Sequence, residues 1–302
     1  MARGLWGVGA GLAGAGLSGC RQNVSTGLAP STSAAFPAAL SAEDIHVILS
    51  GFSVNLESWW RDIPFERRFD QAATSGFSHA EMWFVDSWNR RAVELKKHIP
   101  EGLNMSQIVG DTPALARLDV RAEFIENCKR AIENAQILNS PVVTLTGHQN
   151  VDGISQSDAL KSYQDHMAAI APLFEAAKIY AAIEPFNPYN HPGHFIYGHA
   201  EALRICQEVD SPFLKLNWDL FHMQRHEGNL IDNFNRGADH VCYVQIADSP
   251  DRHQPGTGEI DHRTLIRAIR KHYDGPIGLE LFAKDDDAAA ALADIINLGA
   301  AL

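Results

Sequence analysis

The sequence predicts a (β/α)8 barrel, on three observations. From His46 onward short β-prone runs alternate with amphipathic segments, and eight such units fill about 250 residues, the length of one barrel. No GxGxxG follows the first strand or opens a helix, which sets aside a doubly wound dinucleotide-binding sheet. Several strands also end in an acidic or amide residue where a loop begins. The clearest is Tyr180–Gly193 (YAAIEPFNPYNHPG), whose β run rises to Glu184 and is halted by Pro185.

In chain order, His46–Val54 (HVILSGFSV) reads as the first strand, closed by Asn55. Phe65–Ser75 follows as a helix with Gly76 at its stop. His79–Val85 is the second strand and Trp88–His98 the helix behind it. Leu103–Val109 is the third strand, with a loop through Asp111 and Pro113. Asp119–Leu138 is a long helix, its apolar positions Phe124, Ile125, Cys128, Ile132, Ala135 and Ile137 falling near the 3.6 period. Pro141–Thr146 is the fourth strand, ended by Gly147, and Asp158–Ala177 the next helix. The remaining strands are Ile179–Glu184, Phe213–Asp219, His240–Ala247 and Pro276–Phe282. Helices fit Ala200–Val209, Thr264–His272 and Asp285–Leu302, whereas the segment after the sixth strand shows no clear helix. Gly256-Thr257-Gly258 is a loop signal and weak as a phosphate cradle.

Residues 1–43 stand apart from this rhythm. Arg3, the Gly/Ala/Leu run Leu5–Leu17 and Leu17-Ser18-Gly19-Cys20 resemble a bacterial lipoprotein signal, with Cys20 as the lipid-bearing residue. Gln22–Ser41 then reads as a flexible tether, and a plain extension with neither role has the same composition. Residues 44–302 are expected to form one barrel domain. A net charge of −12 argues against a nucleic-acid partner, which needs a Lys/Arg surface. The four cysteines lack CxxC spacing, so buried apolar roles are expected for Cys128, Cys206 and Cys242. A small-molecule substrate is the expected partner, and self-association is left open.

Barrel strands alternate between an inward and an outward face. Tyr180, Ala182 and Glu184 share one parity; so do Lys215, Asn217 and Asp219, then Tyr243 and Gln245, then Gly278 and Glu280. The opposite parity is apolar in each strand and suits helix packing. Glu184, Asp219, Gln245 and Glu280 would therefore converge at the C-terminal mouth, with Ala182 and Gly278 leaving room beneath. Three carboxylates gathered without a cation repel and resist ionisation. An all-oxygen set favours a divalent cation, Mg²⁺ or Mn²⁺, over a thiolate-type zinc site. A ring of solvated polar residues holding no metal is the plain alternative. His222, three residues after Asp219, could lean over the mouth, and Arg252 could grip an anion with its planar fork. Solvated surface positions are the alternatives for both. Glu81 and His148, at the ends of the second and fourth strands, are candidate pocket walls. Trp59 and Trp60 could cover the pocket or belong to the core.

IEPFNPYNHPG, WDLFHMQRHEGNL, YVQIADSPDRHQPGTGEI and GLELF together resemble the hydroxypyruvate isomerase family of xylose-isomerase-like TIM barrels, over about residues 46–283. The resemblance implies divalent-metal ligands at Glu184, Asp219, Gln245 and Glu280. It also implies a proton-transferring pair at Glu184 and Glu280 and substrate contacts at His222 and Arg252. Two departures touch the substrate pocket: SQIVGDTPALARL is short and lacks a His-Asn opening, and Gly147-His148 stands where Gly-Lys is expected. The implied reaction is an aldose–ketose type isomerisation through an ene-diolate, as in hydroxypyruvate to tartronate semialdehyde. A ketose C3-epimerase or a 2-oxo-tetronate isomerase would use the same four residues. A tethered solute-binding barrel without turnover is the non-enzymatic alternative. A metal-dependent apurinic endonuclease is opposed by Gln245 and by the charge.

Overall fold

The apolar run at His46–Val54 splits between two elements, which corrects the expected first strand. The computed structural model describes residues 40–302. There helix α1 (Ala42–Leu49) precedes a short strand β1 (Phe52–Asn55). Ser41 and Asp44 form a reciprocal capping box at the start of α1, and Ile45, Ile48 and Leu49 turn one face inward. A short apolar run carries no period that separates helix from strand, and here the cap decides. The expected signal, tether and lipid site at Cys20 lie outside the described residues.

The chain continues through α2 (Arg67–Thr74), β2 (His79–Phe84), α3 (Ala92–Leu95), β3 (Asn104–Val109), α4 (Arg121–Leu138), β4 (Val142–Leu145), α5 (Gln156–Ala177) and β5 (Tyr180–Ile183). It ends with α6 (His199–Val209), β6 (Leu214–Asp219), α7 (Leu220–His226), α8 (Leu230–Gly237), β7 (Val241–Gln245), α9 (His262–Ile269), β8 (Ile277–Leu279) and α10 (Ala288–Ala300). The helix expected over Trp88–His98 is broken by Asn89, which is left-handed at φ 55°, so only α3 and two single turns form. Arg90 is instead drawn to Glu57 at 2.5 Å. Where the sequence shows no clear helix, after β6, two short ones form.

All eight strands are parallel and close in the order β1 to β8, with β8 back on β1. Outward side chains such as Val54, Ala80, Ile183, Leu216, Val244 and Leu279 join the main apolar core between sheet and helices. The inward set is different in kind. Val142, Ala182 and Tyr243 form a small apolar plug near the N-terminal end. A polar layer lies alongside it, where Ser106 Oγ bonds both Ser53 Oγ (2.6 Å) and Tyr243 Oη (2.8 Å). Cys128, Cys206 and Cys242 are free thiols, and burial pushes each upward in pKa. No helix among the described residues is long and apolar enough to cross a membrane.

Gly278 is the packing hinge of this interior. A Cβ there would lie 2.7 Å from Glu81 Oε2 and 2.8 Å from Gln245 Cγ. Overpacking of this kind costs about 1–3 kcal/mol. Gly278→Ala is therefore expected to lower the urea midpoint with an unchanged m-value, and an unaltered midpoint would show that the interior yields freely.

Candidate active site

The strand ends deliver side chains to the C-terminal mouth from four directions. Glu184 follows β5 and Glu280 follows β8, while Asp219 closes β6 and Gln245 closes β7. Ligating atoms of Glu184, Asp219 and His222 lie within 4.8 Å of one another. Arg252 ties in Glu280: its Nη2 donates to Asp219 Oδ2 at 2.7 Å and sits 3.2 Å from Glu280 Oε2. The carboxylates of Glu184, Asp219 and Glu280 are all buried.

Their surroundings differ. Asp219 Oδ1 accepts the Phe221 backbone N–H at 2.8 Å, which also caps α7. Glu280 Oε1 accepts the Trp83 indole N–H at 2.9 Å. Among the described residues no donor within hydrogen-bond distance serves the Glu184 carboxylate; His222 Nε2 approaches only to 3.7 Å. Burial, then the charges of Glu280 and Asp219, hold Glu184 well above the ordinary carboxylate range. Burial pushes Glu280 to about 8 against the pull of Arg252, and raises Asp219 more than Arg252 lowers it. Burial alone would lower Arg252, but Glu280, Asp219 and Glu184 outweigh it and raise the guanidinium.

His222 is held from both sides of its ring. Asn187 Oδ1 accepts two backbone N–H groups, from Tyr189 and Asn190, both at 3.0 Å. Its Nδ2 therefore faces His222 Nδ1, at 2.6 Å, and donates to it. Burial, reinforced by Arg252, keeps the imidazole neutral, well below its usual range. Arg252 Nη1, which can only donate, faces His222 Nε2 at 3.4 Å, so both ring nitrogens meet a donor, and Nε2 stands 3.5 Å from Asp219 and 3.7 Å from Glu184.

His148 and Glu81, expected on the pocket wall, lie behind it and are fully buried. His148 Nε2 donates to the Glu184 carbonyl at 3.0 Å, and its Nδ1 meets His194 Nδ1 at 3.0 Å. Burial lowers His148 to about 3, so it is neutral and both nitrogens are committed internally. Glu81 bonds Asn55 and Gln245 at the centre of the barrel. Trp59 belongs to the core, its indole donating to the Leu279 carbonyl at 3.1 Å, whereas Trp60 is only partly buried.

The sequence reading missed Trp83, Asn187 and Asp248. Trp83 shares parity with Glu81, a signal that was available. Asp248 organises the loop carrying Arg252: its carboxylate accepts backbone N–H groups of Ser249, Gly256, Gly258 and Ile260. A Cβ at Gly258 would lie 2.0 Å from the Ser249 carbonyl. The glycines of GTG thus cradle a carboxylate of the chain itself, and the loop sets Arg252 in a left-handed conformation at φ 60°.

A closed parallel barrel with catalytic-type groups converging at its C-terminal rim defines the class: a barrel enzyme working on a small polar compound. Residues 69–298 match the family described as xylose isomerase-like TIM barrel, and the chain belongs to that family. The hydroxypyruvate isomerase of Escherichia coli (strain K12) is 29% identical over 76% of this chain and 92% of its own. The 2-oxo-tetronate isomerase of Cupriavidus necator is 30% identical over 76% of this chain and 91% of its own. Relatives of this kind make the chain an isomerase-type enzyme. A solved structure described as AP endonuclease, family 2, from Brucella melitensis has a TM-score of 0.74 at 24% identity, covering 80% of this chain and 97% of that one. That likeness shows the fold.

Arg252→Met removes the one guanidinium that, among the described residues, is bonded to these carboxylates. Their folded-state pKa values already lie above the unfolded ones, so the ionised state opposes folding and does so more as pH rises. The variant's melting temperature is expected to fall below wild type, with a deficit that widens as pH rises through the wild-type folded pKa values, for Glu280 from about 8 upward. A deficit independent of pH would assign Arg252 a packing role instead.

Proposed function

We propose that the chain is a metal-dependent aldose–ketose type isomerase of a small hydroxy-carbonyl acid or sugar, of the hydroxypyruvate isomerase kind. One observation carries it: Glu184, a buried carboxylate with no hydrogen-bond donor, faces Asp219 and a neutral His222 while Glu280 stands across Arg252. Such a group is stable as an anion only beside a cation, and the oxygen-rich donor set suits a hard one.

Glu184, Asp219, Gln245 and Glu280 would hold Mg²⁺ or Mn²⁺, which when bound supplies charge stabilisation to a carbonyl and its neighbouring hydroxyl oxygen. Glu184 or Glu280 takes the proton from the hydroxyl-bearing carbon, giving an ene-diolate, and the same or the opposite glutamate returns it to the adjacent carbon. The hydroxyl proton passes to the former carbonyl oxygen, so atoms balance without an oxidant. The Arg252 guanidinium donates to the substrate oxygens as charge grows on them, with the neutral His222 imidazole beside it. Trp83 holds the Glu280 carboxylate by Oε1, while Oε2 faces Arg252 at 3.2 Å. Hydroxypyruvate is the first substrate to test. The Cupriavidus relative favours 2-oxo-tetronate as the second, and a ketose C3-epimerase would need only a different pocket.

Glu280→Gln is expected to lower turnover by about 10²- to 10⁴-fold while the melting temperature stays near wild type. Full activity in that variant would remove Glu280 from the chemistry. EDTA should stop the incorporation of solvent deuterium into product, and Mn²⁺ should restore it. Exchange that continues in EDTA would rule out the metal-dependent route.

A further inference from the structure

Glu81 has no contact with the mouth, yet it is tied to one of the residues there. Oε1 accepts from Asn55 Nδ2 at 2.9 Å, and both oxygens accept from Gln245 Nε2, at 3.1 and 3.2 Å. On its other side Gln245 Oε1 accepts from Asn217 Nδ2 at 2.7 Å. The missing side chain of Gly278 makes room for this contact. Both Glu81 oxygens are thus placed as acceptors, and they take the NH₂ end of the Gln245 amide. Gln245 is thereby held with its nitrogen towards β2 and its oxygen towards β6, where it pairs in register with Asp219. The two ends of an amide have nearly the same shape. Half a turn about the last bond would present two protons where a cation needs an oxygen. The carbonyl keeps a second lone pair beyond the one Asn217 uses.

We propose that Glu81 is a positioning residue: its buried carboxylate orients the Gln245 amide so that oxygen, not nitrogen, serves the cation site at the mouth. This rests on the metal-dependent reading given above. Residues that orient a ligand typically change metal affinity by about 10- to 100-fold when removed.

The test is Mn²⁺ affinity of the full chain, read from the EPR signal of free Mn²⁺. Glu81→Met keeps the length and removes every acceptor; it is expected to weaken Mn²⁺ binding at least about tenfold. The double exchange of Glu81→Gln with Gln245→Glu keeps one carboxylate and one amide in contact. A carboxylate at position 245 has no wrong end, so Mn²⁺ affinity should return to within about threefold of wild type or exceed it. Unchanged affinity in Glu81→Met overturns the proposal. So does a tenfold loss in the exchanged pair, which also decides the matter should Glu81→Met fail to fold. A wild-type chain that binds Mn²⁺ but exchanges no deuterium overturns the isomerase assignment alone, and these affinities still decide the role of Glu81. Absence of Mn²⁺ binding by the wild-type chain overturns both.

Discussion

The interior of this barrel is organised by the difficulty of burying negative charge. Glu81, Glu184, Asp219 and Glu280 all point inward and are buried. An uncompensated ion in such surroundings costs several kcal/mol even after relaxation. The chain meets this in graded ways. Glu81 is satisfied by neutral donors, the amides of Asn55 and Gln245. Asp219 and Glu280 share Arg252. Glu184 receives neither, and its distance from any donor is what gives the mouth a demand for a cation.

Loops of different origin hold the groups that answer that demand, and each is fixed by polar bonds of its own. Asp248 binds four backbone N–H groups and shapes the loop that carries Arg252, whose Nε then donates to the Glu280 carbonyl at 3.1 Å. Asn187 spends its oxygen on the loop after β5 and its nitrogen on His222, so that one side chain ties a turn to the imidazole. His148 does the same service for the main chain of Glu184. The lysine expected at position 148 would carry a charge into this apolar surround of Phe186, Phe195 and Tyr163; a neutral imidazole fits it.

Strand parity was legible because a closed barrel enforces period two on every strand, and a buried acid or amide among apolar neighbours shows in the sequence. That brought Glu184, Asp219, Gln245 and Glu280 to one end. Helix α1 was not legible, since its cap at Ser41 lay in a stretch read as tether. The depth of Glu81 was hidden for a different reason. It depends on the absent side chain of Gly278 and on a partner 164 positions away in Gln245, and neither leaves a local pattern. The setting of the His222 ring likewise depends on Asn187, 35 positions distant.

The two ends of the barrel show why chemistry gathers at one of them. A cavity of about 660 Å³ opens at the N-terminal end among Tyr180, Lys215, Tyr243 and Tyr273. Size alone would place a ligand there. Yet its one lysine is spent on the Asp239 carbonyl at 3.0 Å, and the plug of Val142, Ala182 and Tyr243 stands between it and the carboxylates. Parallel strands send all their carboxyl ends the same way, so loops that can carry acids, a histidine and an arginine meet only at the opposite rim. Tyr243 faces both regions: its ring closes the plug, and its hydroxyl joins the polar layer through Ser106. Glu184, Asp219 and Glu280 are buried at the mouth, and they therefore act on one another more through protein than through solvent.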